Sequence, residues 1–131
     1  MLKYSQKTGL AFLFLSAFLG SALSSSAQVP EAACSTFIRQ GRTLNWITMI
    51  NGLPVNRGVL TISQVPQTGR WSGRQVNQTS GNITIDVGGQ FDGSTVSQVN
   101  PAFSETWDGR CNVRGIGGRV NGNSNVTFVM W

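Results

Sequence analysis

The sequence predicts an all-β protein: a small antiparallel up-and-down β-barrel of about eight strands, with a β-sandwich as the alternative. Three observations carry this. Short runs of β-branched and aromatic residues alternate with polar ones. Gly, Pro and Asn clusters punctuate those runs every ~8–12 residues. No stretch beyond residue 30 shows the apolar period of a helix. The barrel is preferred because neighbouring runs are joined by tight turns, and closure removes open sheet edges.

The chain opens with a segment set apart from the rest. Lys3 and Lys7 are followed by an apolar run from Leu10 to Leu23 and by the small residues Ser25, Ser26 and Ala27. These are the three parts of a secretory signal peptide. The run is short for a membrane span, which needs ~20 apolar residues. Residues 1–27 are therefore expected to be a cleaved signal, and 28–131 a single β-barrel domain, secreted or periplasmic. Without Lys3 and Lys7 the formal charge falls from +5 to +3. In an oxidising compartment the two cysteines, Cys34 and Cys111, are expected to bridge. Closing so long a loop stabilises by roughly 4 kcal/mol.

The strands follow in order. Leu44 to Ile50 is apolar and β-branched, ending at the turn cluster Asn51-Gly52-Leu53-Pro54. Gly58 to Val65 alternates, and Pro66 and Gly69 stop it. Gly69 to Asn77 follows. Asn82 to Val87 sets Ile83, Ile85 and Val87 against Asn82, Thr84 and Asp86, and Gly88-Gly89 reads as a hairpin turn. Gln90 to Ser97, a loop from Gln98 to Ser104, and Glu105 to Val113 come next. Gly115 to Val120 leads into Asn121-Gly122, the strongest hairpin dipeptide. Val126 to Trp131 is the last run.

One pattern recurs. Arg70-Trp71-Ser72-Gly73-Arg74 returns as Thr106-Trp107-Asp108-Gly109-Arg110, with echoes at Phe91-Asp92-Gly93 and Ile116-Gly117-Gly118-Arg119. Side chains alternate faces along a strand. Each copy thus points a large apolar group inward beside a bare glycine, and an Arg outward. Trp107, Gly109, Cys111 and Val113 share the inner face. Asp108 and Arg110 share the outer face, where they can pair. The repeat has an architectural use, because strand glycines permit sharp bends that aromatic rings can cover. It also has a functional use. Trp46, Trp71, Trp107 and Trp131 are the chain's four tryptophans. Several of them at one end of a barrel would make a mouth for a small apolar or amphipathic ligand.

The composition excludes much chemistry. With no His there is no His-based acid–base pair, Ser-His triad or His-bearing metal site. The lysines lie only in the signal, which removes lysine-based covalent catalysis. Asp86, Asp92 and Asp108 fall on the outer face, and Glu105 shares the Trp107 face. The expectation is a non-enzyme without cofactor or metal. Nucleic acid is not an expected partner, and no membrane span remains after signal cleavage. The arginines Arg70, Arg74, Arg110, Arg114 and Arg119 offer a basic face to a glycan or protein. Asn77-Gln78-Thr79, Asn82-Ile83-Thr84 and Asn125-Val126-Thr127 are glycosylation sequons.

The layout resembles the avidin family of secreted eight-stranded biotin-binding barrels. Val59 to Asn77, "VLTISQVPQTGRWSGRQVN", is similar to that family's aliphatic-Thr-Ile strand and the aromatic-Thr/Ser-Gly strand after it. "TWDGRC" with Cys34 is similar to its aromatic-x-Gly-x-Cys strand and the N-terminal Cys bridged to it. The resemblance implies a ligand-binding role for Trp107 and, more loosely, for Trp46, Asn51 and Trp131. Trp71 joins them as an inward indole. In the same register Gln75 stands near the family's ligand-binding Tyr, and Pro101 near one of its Trp residues. The expected function is binding of a small apolar or biotin-like ligand. The alternative is a protein- or glycan-interaction module, an inhibitor or adhesin, acting through rim loops or the Arg-bearing face. A homo-oligomer stays open under both.

Overall fold

Tight turns carry each strand back along its predecessor. At Asn51-Gly52 the backbone takes φ of 52° and 80°, and at Asn121-Gly122 it takes 53° and 68°. Two successive positive φ angles make the hairpin turn whose twist matches paired strands, and Asn and Gly tolerate them best. The computed structural model describes residues 29–66 and 69–131. The signal-peptide expectation lies outside them.

The strands are β1 (Thr43–Ile50), β2 (Leu53–Gln64), β3 (Arg70–Asn77), β4 (Ile83–Asp92), β5 (Thr95–Asn100), β6 (Glu105–Asn112), β7 (Gly115–Val120) and β8 (Asn123–Met130). Each pairs antiparallel with the next, and β8 returns to β1 with Trp46 opposite Met130 and Ile50 opposite Val126. The sheet is a closed up-and-down barrel, not a sandwich. Among the described residues, no helix is long and apolar enough to cross a membrane.

Several boundaries differ from the sequence expectation, each for a local reason. Gly88-Gly89 is not a turn: β4 runs through it to Asp92, and the chain reverses at Gly93-Ser94. Gly89 lies in register between Trp71 on β3 and Gln98 on β5. The Trp71 indole reaches over this bare strand to donate its Nε1–H to the Ser97 carbonyl at 3.2 Å. A Cβ at Gly89 would stand 1.8 Å from that same oxygen. The glycine thus permits a close crossing rather than a reversal. β2 opens at Leu53, five residues early. A register shift at Thr48/Met49 places Pro54 at an irregularity near the strand's start, where its missing N–H is tolerated. β5 continues to Asn100, with a short 3-10 turn only at Pro101–Phe103. Val113 does not continue the inner face; it sits in the β6–β7 turn, 60% exposed.

The inward half of the repeat is as expected at Trp71, Trp107 and Ile116, which are buried with Trp46, Leu60, Ile62, Phe128 and Met130. The Phe91 copy departs from it: Phe91 is half-buried, and Gly93 lies in the β4–β5 turn rather than on the strand. Gly58 lies under the Trp46 ring, and Gly109 under the edge of Phe128. The arginines at 70, 74, 110 and 119 are exposed. Their partners differ from the expected Asp108–Arg110 pair. Arg74 meets Asp86 across β3–β4 at 3.2 Å, and Arg110 meets Glu31 at 3.6 Å. Such exposed pairs contribute at most about 1 kcal/mol.

The N-terminal segment closes one end of the barrel. Cys34 and Cys111 form the expected disulfide. Cys34 N–H donates to the Gly93 carbonyl, Ala32 N–H to Cys111, and Val113 N–H to Pro30. These bonds lay the segment across the β4–β5 and β6–β7 turns. Phe37 and Ile38 then enter the core. The void left there, beside Ile38, Trp71 and Met130, is only about 10 Å³. This end is full.

A candidate ligand pocket at the open mouth

Among the described residues, the opposite end has no such plug. There the turns β1–β2, β3–β4, β5–β6 and β7–β8 surround a cavity of about 370 Å³. That volume lies at the low end of small-molecule sites, ~300–1,000 Å³. Depressions of about 600 and 700 Å³ also mark the outer wall, one between Asp108, Arg110 and Arg119, the other beside Gly88 and Gly89. Those are open grooves among outward side chains. The mouth cavity reaches down to the core.

Its deep wall is aromatic. Trp46 on β1 and Trp107 on β6 meet edge to face, with centroids 5.6 Å apart at 82°. Trp107 also leans on Phe128 at 4.9 Å. Such pairs add ~0.5–1.5 kcal/mol beyond burial and hold the rings in place. Ile85, Val120 and Val126 extend the apolar wall. Ile50, Val55, Ile83 and Phe103 form an exposed apolar rim.

The floor is polar, which is unusual for the interior of so small a barrel. Gln75, Gln98, Asn100 and Thr48 are all buried, Asn100 completely. Gln98 Nε2 donates to Gln75 Oε1 at 2.6 Å and to Asn100 Oδ1 at 2.7 Å. Asn100 Nδ2 donates to Glu105 Oε1 at 3.4 Å, and the same oxygen accepts the Trp107 Nε1–H at 3.1 Å. Gln75 and Glu105 bring this ladder to the cavity surface. Higher up, Asn77 donates to Asn56 at 3.3 Å. The side-chain oxygen of Asn77 is taken by the Thr79 and Ser80 amides, so this sequon's Asn is built into the β3–β4 turn.

The ladder's direction follows from chemistry. A carboxylate only accepts. Asn100 must therefore offer Glu105 its NH₂ and turn its oxygen to Gln98. Gln98 must then offer its own NH₂ to Asn100 and Gln75. Its oxygen is left without a hydrogen-bond partner among the described residues. One carboxylate at the mouth orders three buried amides.

Of the sequence candidates, the structure brings Trp46 and Trp107 together in the cavity. It places the others elsewhere. Trp71 lies toward the plugged end, with its N–H on Ser97. Asn51 is in the β1–β2 turn, exposed, and does not line the cavity. Trp131 follows β8, is 47% exposed, and pairs by backbone with Asn45. The sequence reading missed Thr48, Asn56, Gln75 and Phe103 as lining residues. The alternation Trp71–Gly73–Gln75 carried the signal for Gln75. Glu105, two positions before Trp107, was placed on the right face but not in the site. Comparison with family models, with characterised proteins and with solved structures finds no match to the chain.

Proposed function

We propose that the protein is an exported, secreted or periplasmic, non-catalytic barrel that holds one small apolar or amphipathic ligand in its open mouth, in the manner of an avidin-like binder. The observation that carries this is the Trp46–Trp107 pair set over an ordered polar floor, at the one end the N-terminal segment leaves open. A cavity with an apolar wall and a few fixed polar groups is the usual form of a small-molecule site. The disulfide fits an oxidising compartment. The non-catalytic reading rests on Glu105, the sole ionisable side chain lining the cavity among the described residues. Asp86, Asp92 and Asp108 are exposed on the outer wall, so no carboxylate pair faces a common substrate there.

A second reading draws on the rim. Leu53 is 69% exposed and Phe103 54%, beside Ile50, Val55 and Ile83. This apolar ring suits a protein or glycan partner docked on the mouth.

A thermal-unfolding screen against biotin and a panel of aromatic and aliphatic ligands tests both readings. A true ligand at about one hundred times its Kd stabilises by about 2.7 kcal/mol, a shift of several degrees. Leu53→Asp leaves that shift intact, because Leu53 does not line the cavity. An unresponsive protein whose capture of a partner is abolished by Leu53→Asp supports the rim reading instead.

A further inference from the structure

We infer that the mouth selects an organic cation: a ligand with an ammonium group on an apolar body, its N–H groups seated on Glu105. This rests on the reading of the mouth as a ligand pocket and goes further by naming the ligand's charge.

The first ground is charge placement. Among the described residues, Glu105 is the sole ionisable side chain that lines the cavity, and no arginine joins it. The ion pairs in the described residues are Arg74–Asp86 and Arg110–Glu31, both on the outer wall. Glu105 therefore stands half-buried without a counter-charge. A partly desolvated carboxylate without a cation is costly, and a pairing cation relieves that cost.

The second ground is the carboxylate's geometry. Both protein donors, Trp107 Nε1 and Asn100 Nδ2, fall on Oε1. Oε2 has no hydrogen-bond partner among the described residues. Glu105 is thus held in position by one oxygen while the other remains for a ligand. Charge-assisted N⁺–H···O⁻ bonds are roughly twice as strong as neutral ones.

The third ground is the surroundings. Trp46 and Trp107, held nearly perpendicular to each other, line the same cavity as Glu105. Indole faces attract a cation electrostatically. Of the three inner tryptophans, Trp46 and Trp71 give their N–H to backbone carbonyls of Val59 and Ser97. Trp107 gives its N–H to the carboxylate. An anionic ligand would meet Glu105 with no cation in the lining to offset it.

Calorimetric titration with tryptamine, neutral indoleacetamide and anionic indoleacetate tests this, since the three share one ring and differ in charge. Tryptamine binds at least about tenfold more tightly than indoleacetate, the effect of one charge-assisted bond. Glu105→Gln keeps an oxygen for Trp107 and Asn100, so the variant still folds. It loses about tenfold or more of tryptamine affinity and keeps indoleacetamide affinity within about threefold. Indoleacetate binding as tightly as tryptamine, or tryptamine binding Glu105→Gln undiminished, overturns the cation inference and leaves the pocket reading standing. Failure of all three to bind overturns both.

Discussion

Replacing Cys34 and Cys111 together by Ala lowers the unfolding free energy by about 4 kcal/mol and shifts the denaturant midpoint accordingly. The two cysteines are separated by 77 positions. A loop of that length, once closed, removes much of the unfolded chain's freedom, and the cost of losing the bond grows with the logarithm of the length. Both sulfurs are buried, so their loss also leaves a small void. The remaining tether of the N-terminal segment is a few backbone bonds to Gly93, Cys111 and Val113 and the exposed contacts of Glu31 with Arg110 and Ser94, with Phe37 and Ile38 packed inward. In the double variant, hydrogen exchange at position 34 and at Ile38 should therefore accelerate more than exchange in β1 or β8. Chemical denaturation of the double variant against the oxidised parent measures the effect. A loss below about 1 kcal/mol would mean that packing alone holds the plug.

Gly89→Ala costs about 3 kcal/mol, whereas Gly88→Ala costs under about 1 kcal/mol. The two glycines are adjacent and similar in exposure, yet their surroundings differ. At Gly89 a Cβ would lie 1.8 Å from the Ser97 carbonyl oxygen and 3.1 Å from Gln98 Cα, so backbone must move. At Gly88 the nearest atom would be the Trp71 carbonyl oxygen at 3.1 Å. A shift of a few tenths of an ångström accommodates that. Neither glycine is among the residues with positive φ, so packing decides the outcome rather than backbone strain. Gly89→Ala must also disturb the Trp71 indole, whose N–H depends on Ser97. Its fluorescence should shift in that variant and not in Gly88→Ala. Equal costs at the two sites would contradict the close crossing at Gly89.

The contrast shows what a sequence discloses here. Alternation gives the face on which a residue lies. It places Trp71 and Trp107 inside and the arginines outside, and the cysteine pair with its compartment logic predicts the disulfide. Alternation does not give height along the barrel axis. Trp71 and Trp107 occupy equivalent places in the repeat and both border the small inner void, yet only Trp107 also lines the mouth cavity. Height depends on the stagger between strands, which only the pairing register reveals. The polar floor was illegible for another reason. Gln75, Gln98 and Asn100 carry no apolar signal, and Asn100-Pro101 reads as a loop. Their burial makes sense only once the ladder to Glu105 is seen.

A ligand entering at the end opposite the disulfide should rest against Trp107. A titration of nitrogen-labelled protein with tryptamine, read at the four indole N–H resonances, tests it most directly. The Trp107 resonance should move most, because its N–H sits on Glu105. Trp46 should follow, while Trp71 and Trp131 stay fixed. Movement of Trp71 or Trp131 with Trp107 unchanged would contradict the claim.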